Sequence, residues 1–199
     1  MPRILLTKAS LTQQKKQLKT FAEVLPSLDL KRRQLAAERS KAKEALAQIE
    51  KQLEDLELTI AQELPMLSNQ LVDLTDIVQV VEVELVEENV MGKQLPKIQQ
   101  VQIQVSDYTL LGKPFWVDSL VELLKSALEA KIGVQVFQRR VELLNQAERV
   151  ATQRFNLFDK VLIPKTKTNI KKIQIYLADA ERAGMINSKL AKQKKGIRC

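Results

Sequence analysis

The sequence contains no histidine and a single cysteine, Cys199, its last residue. Without histidine the commonest general base and metal ligand is missing. One thiol cannot build a disulfide framework within the chain, which suits a reducing compartment, and Cys199 has no companion ligand for a metal. Five glycines and six prolines in 199 residues, with 4% aromatics, fit long helices better than a sandwich or a loop-rich enzyme. No apolar run reaches the roughly 18 residues of a membrane span, and no signal-peptide core opens the chain. Gly92-Lys93 and Gly112-Lys113 lack the upstream glycine and the following Ser/Thr of a phosphate loop. The carboxylate pairs Glu54-Asp55 and Glu87-Glu88 are adjacent in sequence, so their members do not share a helix face. No catalytic, cofactor-binding or metal-ligating residue, and no cofactor, is expected.

What the chain does have is periodicity. Every seventh residue from Leu11 gives Leu11, Leu18, Leu25, Arg32, Arg39, Leu46, Leu53 and Ile60. A companion track gives Gln14, Phe21, Leu28, Leu35, Ala42, Ile49, Leu56 and Glu63. Twelve of these sixteen positions are apolar, so they form a narrow seam on one helix face. A seven-residue repeat held that long predicts a supercoil against a partner helix, over a length of roughly 80 Å at about 1.5 Å per residue. Thr7 or Ser10 is expected to cap this helix, and Pro65 to end it. Pro26 lies inside the pattern, whose phase survives it, so a bend rather than an end is expected. Arg32 and Arg39 are expected to lay their stems along the seam and reach water with their guanidinium groups.

A second seam runs through Leu120, Ala127, Val134, Val141, Glu148, Phe155 and Leu162, with Leu123, Ala130, Phe137, Leu144, Ala151 and Phe158 beside it. Glu148 is its one polar member, placed to offset Arg32 or Arg39. Near Pro164 the phase slips by one residue, to Ile163, Ile170 and Leu177 with Ile173 and Ala180, and a kink at Pro164 is the expected cause. Pro26 and Pro164 are expected at similar heights. Beyond Gly184 the chain turns polar and basic and is expected to fray.

Between the seams, Met66 to Thr75 reads as either a short helix or a linker. Ile77–Val86 and Val101–Val105 show the β-branched alternation of strands. Gly92 and Pro96 lie in the Glu87–Lys97 connection as turn signals, which predicts a hairpin, with room for a short intermediate strand. Trp116, beside Phe115, is expected to anchor this head on the helices. The expected fold is mainly α: a long antiparallel two-helix coiled coil of residues 1-66 and 117-199, with a small β-hairpin head at 67-116.

Charge is segregated. Met1–Lys51 carries 12 basic residues against five acids, Gln52–Gly92 carries ten acids and no Lys or Arg, and Asp159–Cys199 carries 11 basic residues against three acids. An antiparallel fold brings both basic ends to one tip. Such a patch suits an acidic protein, an anionic surface or nucleic acid, or is simply a solvated helix face. The architecture alone also suits a coiled-coil adaptor or holdase chaperone. A nucleic-acid-binding rod is disfavoured, because the basic tip lacks interleaved aromatics.

Particular motifs narrow this. Arg154-Phe155-Asn156-Leu157-Phe158, then Val161-Leu162-Ile163-Pro164, then Ile170, Ile173, Leu177 and Glu181-Arg182 resemble the signature of the D subunit, the central rotor shaft, of V-type and archaeal-type ATPases. Thr7-Lys8, Leu11, Lys15-Lys16-Gln17-Leu18 and Lys31-Arg32-Arg33-Gln34-Leu35 agree with it, as do Glu88-Asn89-Val90-Met91-Gly92 and Pro96. Leu25-Pro26 and Asp29 stand where the family often has a glycine and a second lysine before the basic cluster. The resemblance implies a non-catalytic central-stalk rotor subunit that couples ATP hydrolysis or synthesis to proton or sodium translocation through a membrane ring. It implies as partners the catalytic A and non-catalytic B subunits of the hexamer, the small F subunit, and the subunit capping the membrane ring. It implies neither nucleic acid nor direct membrane insertion, and a cytoplasmic place peripheral to the membrane. On this reading Lys15, Lys16, Lys171, Lys172, Lys192, Lys194 and Lys195 are candidate rotor–stator contacts. Arg154, Asn156, Ile163, Pro164, Glu181 and Arg182 carry the family motif.

Overall fold

The computed structural model describes residues 5–63, 77–106 and 116–196. Helix α1 runs Lys8–Glu63, strand β1 Val78–Val90, strand β2 Lys93–Val105, helix α2 Trp116–Asn156 and helix α3 Ile163–Gly196. A π-helical turn, Leu157–Leu162, joins α2 to α3. The fold is mainly α, with a two-stranded antiparallel hairpin in the middle of the chain. The expectations for Pro65, for Met66 to Thr75, and for Gly112, Lys113, Phe115 and Cys199 lie outside the described residues.

The chain divides into two compact units. A terminal unit comprises Met1–Arg32 with Val150–Cys199, and a central unit comprises Arg33–Arg149.

In the terminal unit Thr7 caps α1: its Oγ1 accepts the Ser10 N–H at 3.2 Å, and its carbonyl accepts the Leu11 N–H. The α1 helix continues through Pro26. Antiparallel packing follows from four contacts. Lys8 meets Glu181 at 3.5 Å, Asn169 Nδ2 donates to Gln14 Oε1 at 3.4 Å, Phe21 and Phe158 stack edge to face at 5.5 Å, and the Arg32 guanidinium lies 4.7 Å over the Phe155 ring. Ala151, Thr166, Ile170 and Ile173 are buried.

Two expectations are corrected here. Pro26 lies between Phe21 and Arg32, whose partners are Phe158 and Phe155; Pro164 lies between Phe158 and Asn169, whose partners are Phe21 and Gln14. The prolines are therefore staggered, not level. Nor does the chain fray after Gly184. Helix α3 continues to Gly196, because this tail is rich in helix-forming Ala, Leu, Lys and Gln, and Lys194 and Lys195 complement the helix dipole in the last turn.

The one-residue phase slip is the π turn. The Ile163 N–H donates to the Phe158 carbonyl, five residues back instead of four. A wider turn absorbs one extra residue, so the apolar track passes from Leu162 to Ile163 without leaving the seam. Pro164 follows the π turn directly and has no N–H to donate back into it. The slip, the wide turn and the proline therefore coincide.

In the central unit the Arg39–Glu148 and Ile49–Gly133 contacts again run antiparallel: the α1 number rises as the α2 number falls. Leu35, Ala42, Leu144 and Ala147 fill this seam. The hairpin rests on a second cluster of Ile77, Trp116, Val117, Leu120 and Val121, against which Val78 and Val105 pack. Trp116 therefore anchors the head as expected. The strands are longer than their alternation alone suggests, and no intermediate strand occurs among the described residues. Only Met91 and Gly92 form the turn, with φ of 52° and 79°. Two consecutive positive φ values mark a type I′ hairpin turn, and Asn89 Oδ1 accepts the Gly92 N–H at 2.9 Å. Pro96 is not in the turn; it lies in β2, opposite Glu87.

Candidate functional site

The chemistry that stands out is cationic. In the terminal unit Lys15 and Lys16 follow Gln14 on α1, and Lys171 and Lys172 follow Asn169 and Ile170 on α3. The Gln14–Asn169 hydrogen bond therefore brings both lysine pairs to one level of the seam. All four are exposed. None has a carboxylate partner among the described residues, so their ammonium groups remain available to something outside the chain. Lys192, Lys194 and Lys195 lie elsewhere, on the part of α3 beyond Glu181. That stretch runs past the start of α1, where Lys8 meets Glu181, and every described residue of it is exposed.

The motif residues separate into two groups. Asn156, half-buried, is the last residue of α2 before the π turn, and Ile163, half-buried, is the first of α3 after it. Arg154 and Pro164 are exposed beside them. Leu157 and Val161, within the turn, are half-exposed. The Arg154–Pro164 motif therefore brackets the π turn. Glu181 and Arg182 lie farther along α3, where Glu181 meets Lys8, and Arg182 approaches Asp179 at 3.9 Å. These pairs are highly exposed and so individually weak, on the order of 0–1 kcal/mol.

The two seam arginines do not simply reach water. Arg32 Nη2 donates to Asp29 Oδ1 at 2.7 Å while its face covers Phe155. Arg39 takes Glu148, at 2.9 Å. This second pair is close but poorly aligned: Arg39 Nε and Glu148 Oε2 are buried and make no hydrogen bond. Burial explains the change from expectation, since a half-buried guanidinium needs a counter-charge.

Sequence reasoning missed a third pair. Arg140 of α2 donates from Nη2 to Glu88 of β1 at 2.8 Å. The Arg140 side chain is largely buried, and the hydrogen bond with its attendant charge holds the Glu88 carboxyl below its ordinary pKa. Fifty-two residues separate the partners, so no local spacing signals them. Concave surface offers less. A groove of about 620 Å³ in the central unit has Ile49, Leu56, Ile98, Ala130 and Phe137 as its apolar floor, and its ionisable groups are Asp55 and Glu129. No cluster of potential metal ligands and no helix apolar enough to cross a membrane occurs among the described residues.

Residues 10–193 match the family model that describes the D subunit of ATP synthase. The chain belongs to that family. It is 33% identical over 192 residues to the V-type ATP synthase D subunit of Borreliella burgdorferi, covering 96% of this chain and 95% of the relative. It is 33% identical to the protein of the same name from Chlamydia muridarum, with 96% and 95% covered. The Chlamydia pneumoniae protein, also so named, is 31% identical, with 97% and 93% covered. The D-subunit family is that of a rotary ATPase of the V type, and this chain is one of its members.

Proposed function

We propose that this chain is the central-stalk rotor subunit of a V-type ATPase. It turns within the hexamer of catalytic A and non-catalytic B subunits and couples ATP hydrolysis or synthesis to proton or sodium movement through a membrane ring. In this reading it is non-catalytic, sits on the cytoplasmic side as a peripheral part of the soluble sector, and binds the F subunit and the subunit that caps the ring. Residues 1-66 and 117-199 serve as the shaft and 67-116 as the head. The observation that carries the reading is the pair of exposed lysine clusters, without a carboxylate partner among the described residues, flanking one level of an antiparallel seam in a chain of the D-subunit family.

The physics suits the task. Two interlocked helices resist twisting better than one. An asymmetric surface lets the surrounding sites occupy different states, each biased by its contact energy. Lys15, Lys16, Lys171, Lys172, Lys192, Lys194 and Lys195 meet acidic loops of the hexamer through contacts weak enough, on the order of 0–1 kcal/mol each, to be exchanged during rotation. The test reverses charge at Lys15/Lys16 and Lys171/Lys172 to glutamate in the assembled complex. Weakened hexamer binding and lowered coupled turnover are expected. Unchanged binding and turnover would overturn the contact assignment, and failure of A and B subunits to co-purify with the unaltered chain would overturn the rotor reading.

A further inference from the structure

The hairpin has two outer edges, and they are built differently. Among the described residues the sheet has two strands, so the outer row of backbone donors and acceptors on each has no partner strand there. Strand β2 carries Lys93, Pro96 and Lys97 and turns Leu95 fully inward. Proline and lysine are the usual means of blocking an edge. Strand β1 has neither, nor any arginine, across 13 residues. Several of its apolar side chains stay in water: Val81 is 59% exposed, Leu85 52% and Val86 46%. The pairing has two irregularities. At the first, Val81 is the extra residue on β1; at the second, the extra residue is Gln99, on β2. From Glu82 to Val90, therefore, every residue of β1 has a partner and β1 itself carries no bulge. That leaves an outer edge nine residues long.

Charge selects what fits it. With a period of two, Glu82, Glu84 and Val86 share one face, and Val83, Leu85 and Glu87 share the other. Glu88 is already taken by Arg140. A second copy of β1 alongside would set glutamates against glutamates, which is unfavourable for directly opposed like charges. A strand with lysine or arginine at alternate positions gains where that copy loses. It also supplies a third strand to a sheet that two strands leave marginal. We propose that the outer edge of Glu82–Val90 accepts an extended basic segment of another protein as a third β-strand. Backbone hydrogen bonds give the affinity, basic side chains lie along the face of Glu82 and Glu84, and apolar ones along the face of Val83 and Leu85.

The probe is a short synthetic peptide alternating lysine and valine, titrated by fluorescence polarisation against the full chain, with backbone hydrogen exchange read on the complex. Saturable binding is expected, with slowed exchange at alternating amides of Glu82–Val90. The same peptide carrying N-methyl groups on alternate amides keeps its charge but cannot complete a ladder, and is expected to bind about tenfold more weakly or worse. This comparison needs no variant and so does not depend on a variant folding. Glu82→Lys with Glu84→Lys is expected to reject the lysine peptide and admit a glutamate–valine one. The proposal fails if the N-methylated peptide binds equally well, if protection falls outside β1, if no peptide binds, or if ultracentrifugation shows the chain pairing with itself through this edge.

Discussion

The terminal and central units obey the same heptad rule and satisfy it with different chemistry. Beside its Arg39–Glu148 pair the central seam is aliphatic and small: Leu35, Ala42, Leu144 and Ala147 are buried, and Gly133 admits Ile49, whose Cγ2 lies 3.5 Å from where a Cβ would stand. The terminal seam adds rings and polar pairs to its buried Ala151, Ile170 and Ile173, with Phe21 on Phe158, Arg32 on Phe155 and Gln14 bonded to Asn169. It also contains the π turn, whereas α2 runs unbroken to Asn156. A seven-residue repeat thus specifies which positions meet and leaves open how. Close small-residue packing tolerates no change of register. A seam of large rings and a wide turn absorbs one.

Deletions provide the harshest way to break that comparison. Removing Gln135 turns every later α2 side chain by about 100° off the seam. It is expected to destabilise by more than about 4 kcal/mol, an exceptional loss for one residue. Removing Val161 deletes the extra residue of the π turn and leaves Phe155, Ile163 and Ile170 in one continuous heptad. It is expected to cost under about 1.5 kcal/mol, the scale of a tolerated repacking. Urea unfolding of both variants decides the matter, and equal losses would remove the distinction.

Truncation is gentler. Leu144, 0% exposed in the central seam, is expected to cost about 2–5 kcal/mol when changed to alanine. Phe21→Ala in the terminal seam is expected at the low end of its usual range, about 3 kcal/mol, because Phe21 is only half-buried. If Phe21→Ala proves the costlier in chemical denaturation, the aromatic seam is the tighter of the two.

The seam arginines sharpen the comparison further. Glu148→Ala strands Arg39 and is expected to cost about 1–2 kcal/mol, reduced from the fully buried case because both groups keep some solvent. Replacing Arg39 and Glu148 together by leucine is expected to be neutral or stabilising. In the terminal unit Asp29→Ala is expected to cost less than Glu148→Ala, since Phe155 still covers the Arg32 guanidinium. A double-mutant cycle at each pair measures the difference.

The smallest effect is set by pH. Glu88 is held below its ordinary pKa in the folded chain by Arg140. Its contribution is fully present above the ordinary carboxylate value and is lost as pH falls through the lowered one. Arg140→Gln is expected to flatten the acid limb of the stability profile only in that window. An unchanged profile would mean that the hairpin is held by its apolar cluster alone.

Much of the fold is legible in the sequence because both seams are written in local periodicity. All eight residues of the Leu11 track are at least half-buried, Arg32 and Arg39 included. The hairpin is visible in its alternating valines, but Pro96 reads as a turn residue, because a proline's place in a strand depends on which donors the neighbour needs. The π turn leaves a trace, the slip from Leu162 to Ile163 beside Pro164, but a phase slip by itself does not distinguish a wide turn from a proline kink. The lysines are visible as composition; their meeting at one level requires the Gln14–Asn169 register.

The helices, the hairpin, the cap at Thr7 and the segregation of charge all follow from the order of residues, since each rests on spacing within a few positions. Other choices were made only when distant segments met: Arg39 takes Glu148, Arg32 lies over Phe155, Arg140 reaches back to Glu88, and the prolines fall at different levels. Those choices depend on register between segments more than 50 residues apart, where a shift of one turn exchanges every partner while leaving the repeat unchanged.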